Sequence, residues 1–140
     1  MTSQLNVDTI VDKAGSGGTN IKVGNDATYV AEGGSATPNL VQGLLKMWVM
    51  FNGSSAPTTA DSLNVGSLTD NGSGDYTINR TNAMNNANYS TSSMCDENGV
   101  VFINTGTYST TANEIHVKDS NSQSKNDYDR IGVHVAGDLA

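Results

Sequence analysis

The sequence is poor in cysteine, proline, histidine and basic residues. It has one cysteine, two prolines and two histidines, and seven basic residues stand against fourteen acidic ones. The lone Cys95 excludes an internal disulfide framework. Its neighbours Asp96 and Glu97 supply no cation that would lower the thiol pKa, so we do not expect a reactive nucleophile. No two basic residues are adjacent, which argues against nucleic-acid binding because phosphate contacts need clustered cations.

Long apolar runs are also lacking. The longest, residues 47–51, has five residues, whereas a membrane-spanning helix needs about 20. The opening residues MTSQLNVD have neither the basic region nor the apolar core of a secretory signal. We therefore expect no membrane insertion, and a protein made in a reducing cytoplasm.

Small polar residues dominate what is present. Asn, Ser, Thr and Gly make up 62 of the 140 residues, whereas Leu, Ile, Val and Phe together number 27. Only 15% of residues are charged, which is too few for a disordered chain. The composition predicts a folded β protein with a thin core, part of whose surface is buried against a partner chain.

Residues 1–37 form a distinct N-terminal arm, and residues 38–140 form the main domain. The arm has an alternating run at 6–11 and two short β runs at 20–23 and 27–30, separated by glycine-rich joints. Three such strands cannot bury enough surface alone. A sister subunit or a scaffold is the favoured support, and an edge hairpin on the chain's own sheet is the alternative. The residues predicted to dock or to form an oligomer interface are Val7, Ile10, Val11, Ile21, Val23, Tyr29, Leu40, Leu44 and Met50.

A short helix over 38–45 and a strand over 46–52 follow the arm. Thr37 and Pro38 make a helix-start signal. The strand is apolar on both faces, whereas a strand in a two-layer sandwich needs only one apolar face. The second face indicates contact with the arm, the helix or a subunit. The alternative is that Trp48 and Met50 fill an irregular core, and Trp48 in particular is assigned to the core.

The rest of the chain predicts short strands at regular spacing, separated by Asn/Gly turns. This pattern is typical of an antiparallel β-sandwich, here jelly-roll-like, and the predicted class is all-β with an extended N-terminal β arm and one short helix. Residues 81–88 are predicted to make one helical turn that crosses between the sheets. The predicted strands are 62–68, 75–80, 89–94, 100–104, 114–118 and 130–136.

Seven segments stand out by their order and spacing along the chain. These segments are 5–15 (LNVDTIVDKAG), 48–53 (WVMFNG), 61–65 (DSLNV), 69–77 (TDNGSGDYT), 83–84 (AM), 87–89 (ANY) and 131–138 (IGVHVAGD). Together they resemble a β-sandwich module of tail-fibre-like and other virion proteins of tailed bacteriophages, particularly short-tailed phages of marine cyanobacteria. The first and last segments resemble the opening and closing parts of the same proteins.

The resemblance implies a non-enzymatic virion protein, a homotrimer carried on the capsid or tail surface and assembled in the host cytoplasm. It implies no catalytic residue and no cofactor. The chain lacks heptads and any extended shaft, which favours a compact knob, decoration or fibre-base protein over a long fibre. Its expected partners are two further copies and other virion proteins, contacted through the arm. The alternative is a tail-fibre module that binds a receptor or a host surface glycan.

Few residues predict a chemical site. The loop 70–75 has oxygen ligands that calcium could use, but it departs from the D-x-[DN]-x-[DN]-G pattern, and a tight turn explains it equally well. The acidic loop 126–129 has the same ambiguity. His116 and His134 lie opposite β-branched neighbours and should face solvent or a partner. We expect no metal site, although a trimer axis could bring three copies of one histidine together.

The tyrosines could contact sugars. Tyr108 and Tyr128 lie in polar loops and are the pair expected to be exposed, so they are the candidate glycan contacts of the alternative function.

Overall fold

A computed structural model describes residues 43–140 together with Thr28, and it confirms an all-β antiparallel sandwich. The arm, and residues 38–42 of the predicted helix, lie outside the described residues, apart from the exposed β-bridge residue Thr28. The strands are β1 Leu45–Asn52, β2 Thr58–Leu63, β3 Val65–Gly72, β4 Asp75–Arg80, β5 Ser90–Cys95, β6 Gly99–Asn104, β7 Ala112–Asp119 and β8 Ile131–Ala136, with a 3-10 turn at Thr105–Thr107.

The eight strands form two four-stranded sheets. The front sheet has the order β2-β1-β8-β5, and the back sheet has the order β3-β4-β7-β6. Three pairs of consecutive strands are antiparallel partners within a single sheet: β1–β2 in the front sheet, and β3–β4 and β6–β7 in the back sheet. The other connections pass between the sheets, and β8 returns to lie between β1 and β5.

The core lies between the two sheets, where alternate side chains of the central strands meet. On β1 the residues Met47, Val49 and Phe51 are buried, and on β8 every second residue is likewise buried. Phe51 meets Tyr76 of the back sheet edge-on, with ring centroids 5.1 Å apart. The buried apolar residues are Met47, Val49, Phe51, Tyr76, Ile78, Met84, Tyr89, Ile115, Val117, Tyr128, Ile131, Val133 and Val135.

The structure corrects the start of the domain. Gly43 and Leu44 form a turn and a bend, and Leu45 already belongs to β1, so the predicted helix does not reach residue 45. The predicted strand 46–52 is confirmed, with its first residue one position earlier.

The predicted strand 62–68 is wrong because it spans a crossing between sheets. Asn64 adopts a left-handed backbone, with φ of 59°, and separates β2 of the front sheet from β3 of the back sheet. Asparagine tolerates this conformation better than most residues. Its side-chain amide donates to the carbonyl oxygens of Lys46 and Asn82, which holds the crossing in place.

The predicted helical turn over 81–88 is also wrong. This segment does connect the two sheets, but it does so through bends and an isolated β-bridge between Met84 and Leu139. Met84 is 1% exposed, so burial of its side chain anchors the segment without helical hydrogen bonds.

A buried guanidinium stabilises the end of the sandwich near this crossing. Arg80 is 8% exposed, and its donors bind the carbonyl oxygens of Ser109 and Thr110 and the Asn113 side chain. The charge also lies 4.4 Å from the centre of the Tyr89 ring. No salt bridge to Arg80 forms within the described part of the chain, so neutral acceptors and an aromatic face compensate the desolvated cation.

We expect Arg80→Met to lower the free energy of unfolding by about 2 kcal/mol or more, because it leaves the buried side-chain oxygen of Asn113 without its donor and removes the cation from the Tyr89 ring. Chemical denaturation of the purified protein measures this. The matched control is Arg130→Met at the other, exposed arginine, which should stay within about 0.5 kcal/mol of wild type. Equal effects of the two variants would contradict the role assigned to Arg80.

Candidate functional site

The outer face of the front sheet carries an apolar surface. The pairing register sets Leu63 and His134 on either side of Trp48, and it sets Asp61 and Gly132 on either side of Met50. Gly132 in turn pairs with Met94 on β5. Residues paired in this way lie on the same face of a sheet. We call the surface made by Trp48, Met50, Leu63 and Met94 the apolar face.

The apolar face is continuous across the sheet because Met50 and Met94 meet above Gly132. A Cβ atom at Gly132 would lie 2.7 Å from Met94 Cγ and 3.3 Å from Met50 Cε, so only glycine leaves room for both side chains. The two residues on the edge strands β2 and β5, Leu63 and Met94, are 48% and 56% exposed to solvent. Beside the two methionines is a shallow cavity of about 240 Å³ that also contacts Cys95 and Arg130.

Trp48 therefore lies outside the core, contrary to the assignment made from the sequence. Met47 and Val49 point into the sandwich, and alternation along β1 turns Trp48 to the opposite side, where it is half-buried. Of the predicted interface residues, Met50 is part of the apolar face and Leu44 is 58% exposed at the start of the described chain. The others, namely Val7, Ile10, Val11, Ile21, Val23, Tyr29 and Leu40, lie outside the described residues.

The outer face of the back sheet carries a compact group of ionisable residues, next to Val100 and Phe102 of β6, which are 39% and 43% exposed. Asp75 on β4 pairs directly with His116 on β7, and Glu114 lies two residues from His116 on the same face. The Nε2 atom of His116 is 3.4 Å from Asp75 Oδ2 and 3.1 Å from Glu114 Oε1. All three side chains are half-buried. We call this group the carboxylate–imidazole cluster.

Neighbouring side chains hold the two carboxylates of this cluster in place. The ammonium of Lys125 bonds to Asp75 Oδ2, and the amide of Asn104 donates to Glu114 Oε1 over 2.7 Å. Burial alone would raise the pKa of Asp75, but hydrogen bonds from Lys125 and Asn71 and the nearby charges of His116 and Lys125 lower it below its ordinary value. Asp75 is therefore a carboxylate at neutral pH.

The cluster brings two oxygen ligands and one nitrogen ligand to one point. The three ligand atoms lie within 4.8 Å of one another. The sequence expectation that both histidines lie opposite the core is confirmed, but the grouping of His116 with two acids was missed. The one local signal in the sequence was the Glu-x-His spacing of Glu114 and His116 on a predicted strand. Asp75 lies 41 positions from His116 and reaches the other two residues only through the pairing of β4 with β7.

The loop 70–75 is the tight turn that the sequence allowed. Gly72 and Gly74 both have positive φ, at 126° and 60°. The carboxylate of Asp70 accepts the Gly72 amide within the turn. Gly74 also packs against β7, because a Cβ atom there would lie 2.3 Å from the Val117 carbonyl oxygen.

The acidic loop 126–129 lines a cavity of about 110 Å³ together with Ser54, Asp96 and Glu97. Its carboxylates already bind protein groups. Asp127 accepts the Gly74 amide over 2.6 Å and the Tyr76 hydroxyl over 2.5 Å, and Asp129 accepts the Ser54 hydroxyl. The loop thus links the two sheets. Burial of the Tyr76 hydroxyl, together with the adjacent Asp127 carboxylate, raises the pKa of Tyr76.

Tyr108 and Tyr128 are not the exposed pair expected from the sequence. Tyr128 is 6% exposed within the core. The half-buried Tyr108 ring stacks on Tyr89 with centroids 4.2 Å apart, and its hydroxyl lies 2.6 Å from that of Thr91. Their positions therefore do not favour a sugar-stacking platform.

Cys95 is half-buried beside Asp96. Burial and the Asp96 carboxylate raise the pKa of the thiol to about 11, so the thiolate is scarce at neutral pH.

The lowered pKa of Asp75 predicts a pH-dependent contribution to stability. A carboxylate whose pKa is lowered on folding favours the folded state above its ordinary pKa, here 3.8, and loses this effect as the pH falls through the lower folded value. The difference in unfolding free energy between wild type and Asp75→Asn should therefore become smaller as the pH falls from about 6 through 3.8 and below.

Denaturant titrations across this pH range measure the difference. The control is Asp61→Asn on the front sheet, which removes an exposed carboxylate that accepts the Ser62 amide. A difference for Asp75→Asn that stays constant over the whole range would contradict the assignment.

Comparisons with known proteins identify no relative. No protein family model, no curated protein and no solved structure matches the chain. Within the described residues no helix is long and apolar enough to cross a membrane.

Proposed function

We propose that this chain is a non-enzymatic structural protein of a bacteriophage virion. It forms a homotrimeric surface appendage, a knob, decoration or fibre-like part of the capsid or tail. The N-terminal arm, residues 1–37, anchors it to other virion proteins. The resemblance of the chain to virion β-sandwich modules is one support for this proposal, and the apolar face is the other.

The apolar face is the observation that carries the proposal. One sheet face of a two-layer sandwich is buried in the core, and the other is ordinarily polar. Here the outer side of the front sheet presents Trp48, Met50, Leu63 and Met94, and two further leucines, Leu44 and Leu45, are 58% and 46% exposed where β1 begins. A contiguous exposed apolar surface of this kind marks an interaction site. Methionine suits such a site because its flexible thioether adapts to a partner.

The outer faces of the two sheets differ in composition, and the front sheet is the one proposed for association. The central strands of the back sheet show Asp75, Thr77, Asn79, Glu114 and His116 on the outer side, and its edge strand β6 adds the exposed Val100 and Phe102. Association through the front sheet would bury its apolar face and leave the mostly polar back sheet in solvent. Most soluble homo-oligomers have closed symmetry, and three arms in a trimer would bind a particle with avidity even if each contact were weak.

We expect the purified protein to have three times the chain mass of 14.6 kDa in solution. Met94→Glu should shift the mass toward one chain, because it places a charge in the apolar face. Light scattering after size-exclusion chromatography measures both. The control is Thr69→Glu on the outer face of the back sheet, which should leave the mass unchanged. A wild-type protein that remains monomeric at micromolar concentration would overturn the trimer.

The virion role is tested on purified particles of the phage whose genome carries this gene. We expect quantitative mass spectrometry to detect the chain in the particle, with hundreds of copies for a capsid decoration or about a dozen trimers or fewer for a tail appendage. Deletion of residues 1–37 should abolish incorporation. Protein that is abundant in infected cells yet missing from purified particles would overturn the role.

A further inference from the structure

We infer that the carboxylate–imidazole cluster is a binding site for a divalent transition-metal ion, with Asp75, Glu114 and His116 as ligands. This inference is independent of the proposed function, because the cluster lies on the back sheet and the apolar face lies on the front sheet.

The spacing of the ligand atoms fits such an ion. Zn²⁺ binds imidazole nitrogen and carboxylate oxygen at about 2.0–2.2 Å, so neighbouring ligand atoms of one ion stand roughly 3.0–3.5 Å apart. The Nε2 atom of His116 lies 3.1 Å from Glu114 Oε1 and 3.4 Å from Asp75 Oδ2. Two of the three ligand separations therefore already match, and the ligand oxygens of Asp75 and Glu114 lie within 4.8 Å of one another.

The backbone holds the three ligands in this arrangement. Asp75 and His116 are directly paired on the adjacent strands β4 and β7, and β7 has a neighbouring strand on each side. Glu114 and His116 stand two residues apart on one strand, so their side chains share a face. Ligands on central strands move less than ligands on loops, which reduces the entropy lost when an ion binds.

The surroundings orient the ligands as the outer shell of a metal site does. The amide of Asn104 donates to Glu114 Oε1 over 2.7 Å, and the amide of Asn71 lies 3.4 Å from Asp75 Oδ1. The contact with Asn71 leaves Asp75 Oδ2 available, and Glu114 Oε1 keeps a second lone pair for an ion beside the bond from Asn104. Three protein ligands leave at least one position for water, as in open zinc sites.

A cation already interacts with this cluster. The ammonium of Lys125, 37% exposed on the β7–β8 connection, bonds to the same Asp75 oxygen that faces His116. A metal ion would displace this ammonium into solvent. The competition predicts that loss of Lys125 strengthens metal binding, a result that a purely structural role for the cluster would not produce.

The ligand set indicates the class of ion. An imidazole nitrogen with two carboxylates suits zinc and its first-row neighbours, whereas magnesium and calcium prefer oxygen ligands alone. Zn²⁺ is therefore the probe for affinity. Co²⁺ is the second probe, because its visible absorption reports ligation directly.

The test is calorimetric titration of the protein with ZnCl₂ at about pH 7.5. We expect one Zn²⁺ per chain. His116→Ala and the nearly isosteric Glu114→Gln should each weaken binding about 10-fold or more. His134→Ala removes the other histidine, on the front sheet, and should leave the affinity unchanged. Lys125→Met should tighten binding several-fold.

Co²⁺ titration supplies a readout that does not depend on folding stability. Its visible bands should appear with wild type and His134→Ala and disappear with His116→Ala, while circular dichroism shows all variants folded. Absence of Zn²⁺ binding to wild type would overturn the inference. So would unchanged affinity in Glu114→Gln and His116→Ala, or loss of binding in His134→Ala.

Discussion

Alternation of side chains along the four central strands is the constraint on which this molecule depends. With a period of two residues, every residue that fills the core sends its neighbours to an outer face. On β1 the inward set Met47, Val49 and Phe51 turns Trp48 and Met50 outward. On β7 the inward Ile115 turns Glu114 and His116 outward. The apolar face and the carboxylate–imidazole cluster are thus both consequences of how the core is built.

A thin core leaves polar side chains to hold the connections between the sheets. Asp127 joins the β3–β4 turn to the buried hydroxyl of Tyr76. Arg80 binds three acceptors on the segment 109–113, and Asn64 bridges the β2–β3 crossing. Such links matter more than usual in a chain rich in Asn, Ser, Thr and Gly, because a buried polar group that loses its partner keeps the full cost of its desolvation.

The two outer faces suit different environments, and the proposals use them separately. The front sheet presents thioether and indole groups that gain free energy by leaving water. The back sheet presents mainly hydroxyl, amide, carboxylate and imidazole groups that are stable in contact with water or with an ion, with Val100 and Phe102 exposed on its edge strand β6. An assembly through the front sheet therefore leaves the carboxylate–imidazole cluster accessible in every copy.

The all-β class, most strands and the turn at Gly72 and Gly74 could be predicted from short stretches of the sequence. Alternation of apolar and polar residues and the backbone freedom of glycine are both local properties. Prediction from short stretches failed where partners distant in the chain decide the outcome. Asn64 ends a strand because the chain crosses there to the other sheet, and Trp48 leaves the core because Met47 and Val49 fill it. Asp75 meets His116 only through the β4–β7 register, which arises from long-range pairing that no short stretch of sequence encodes.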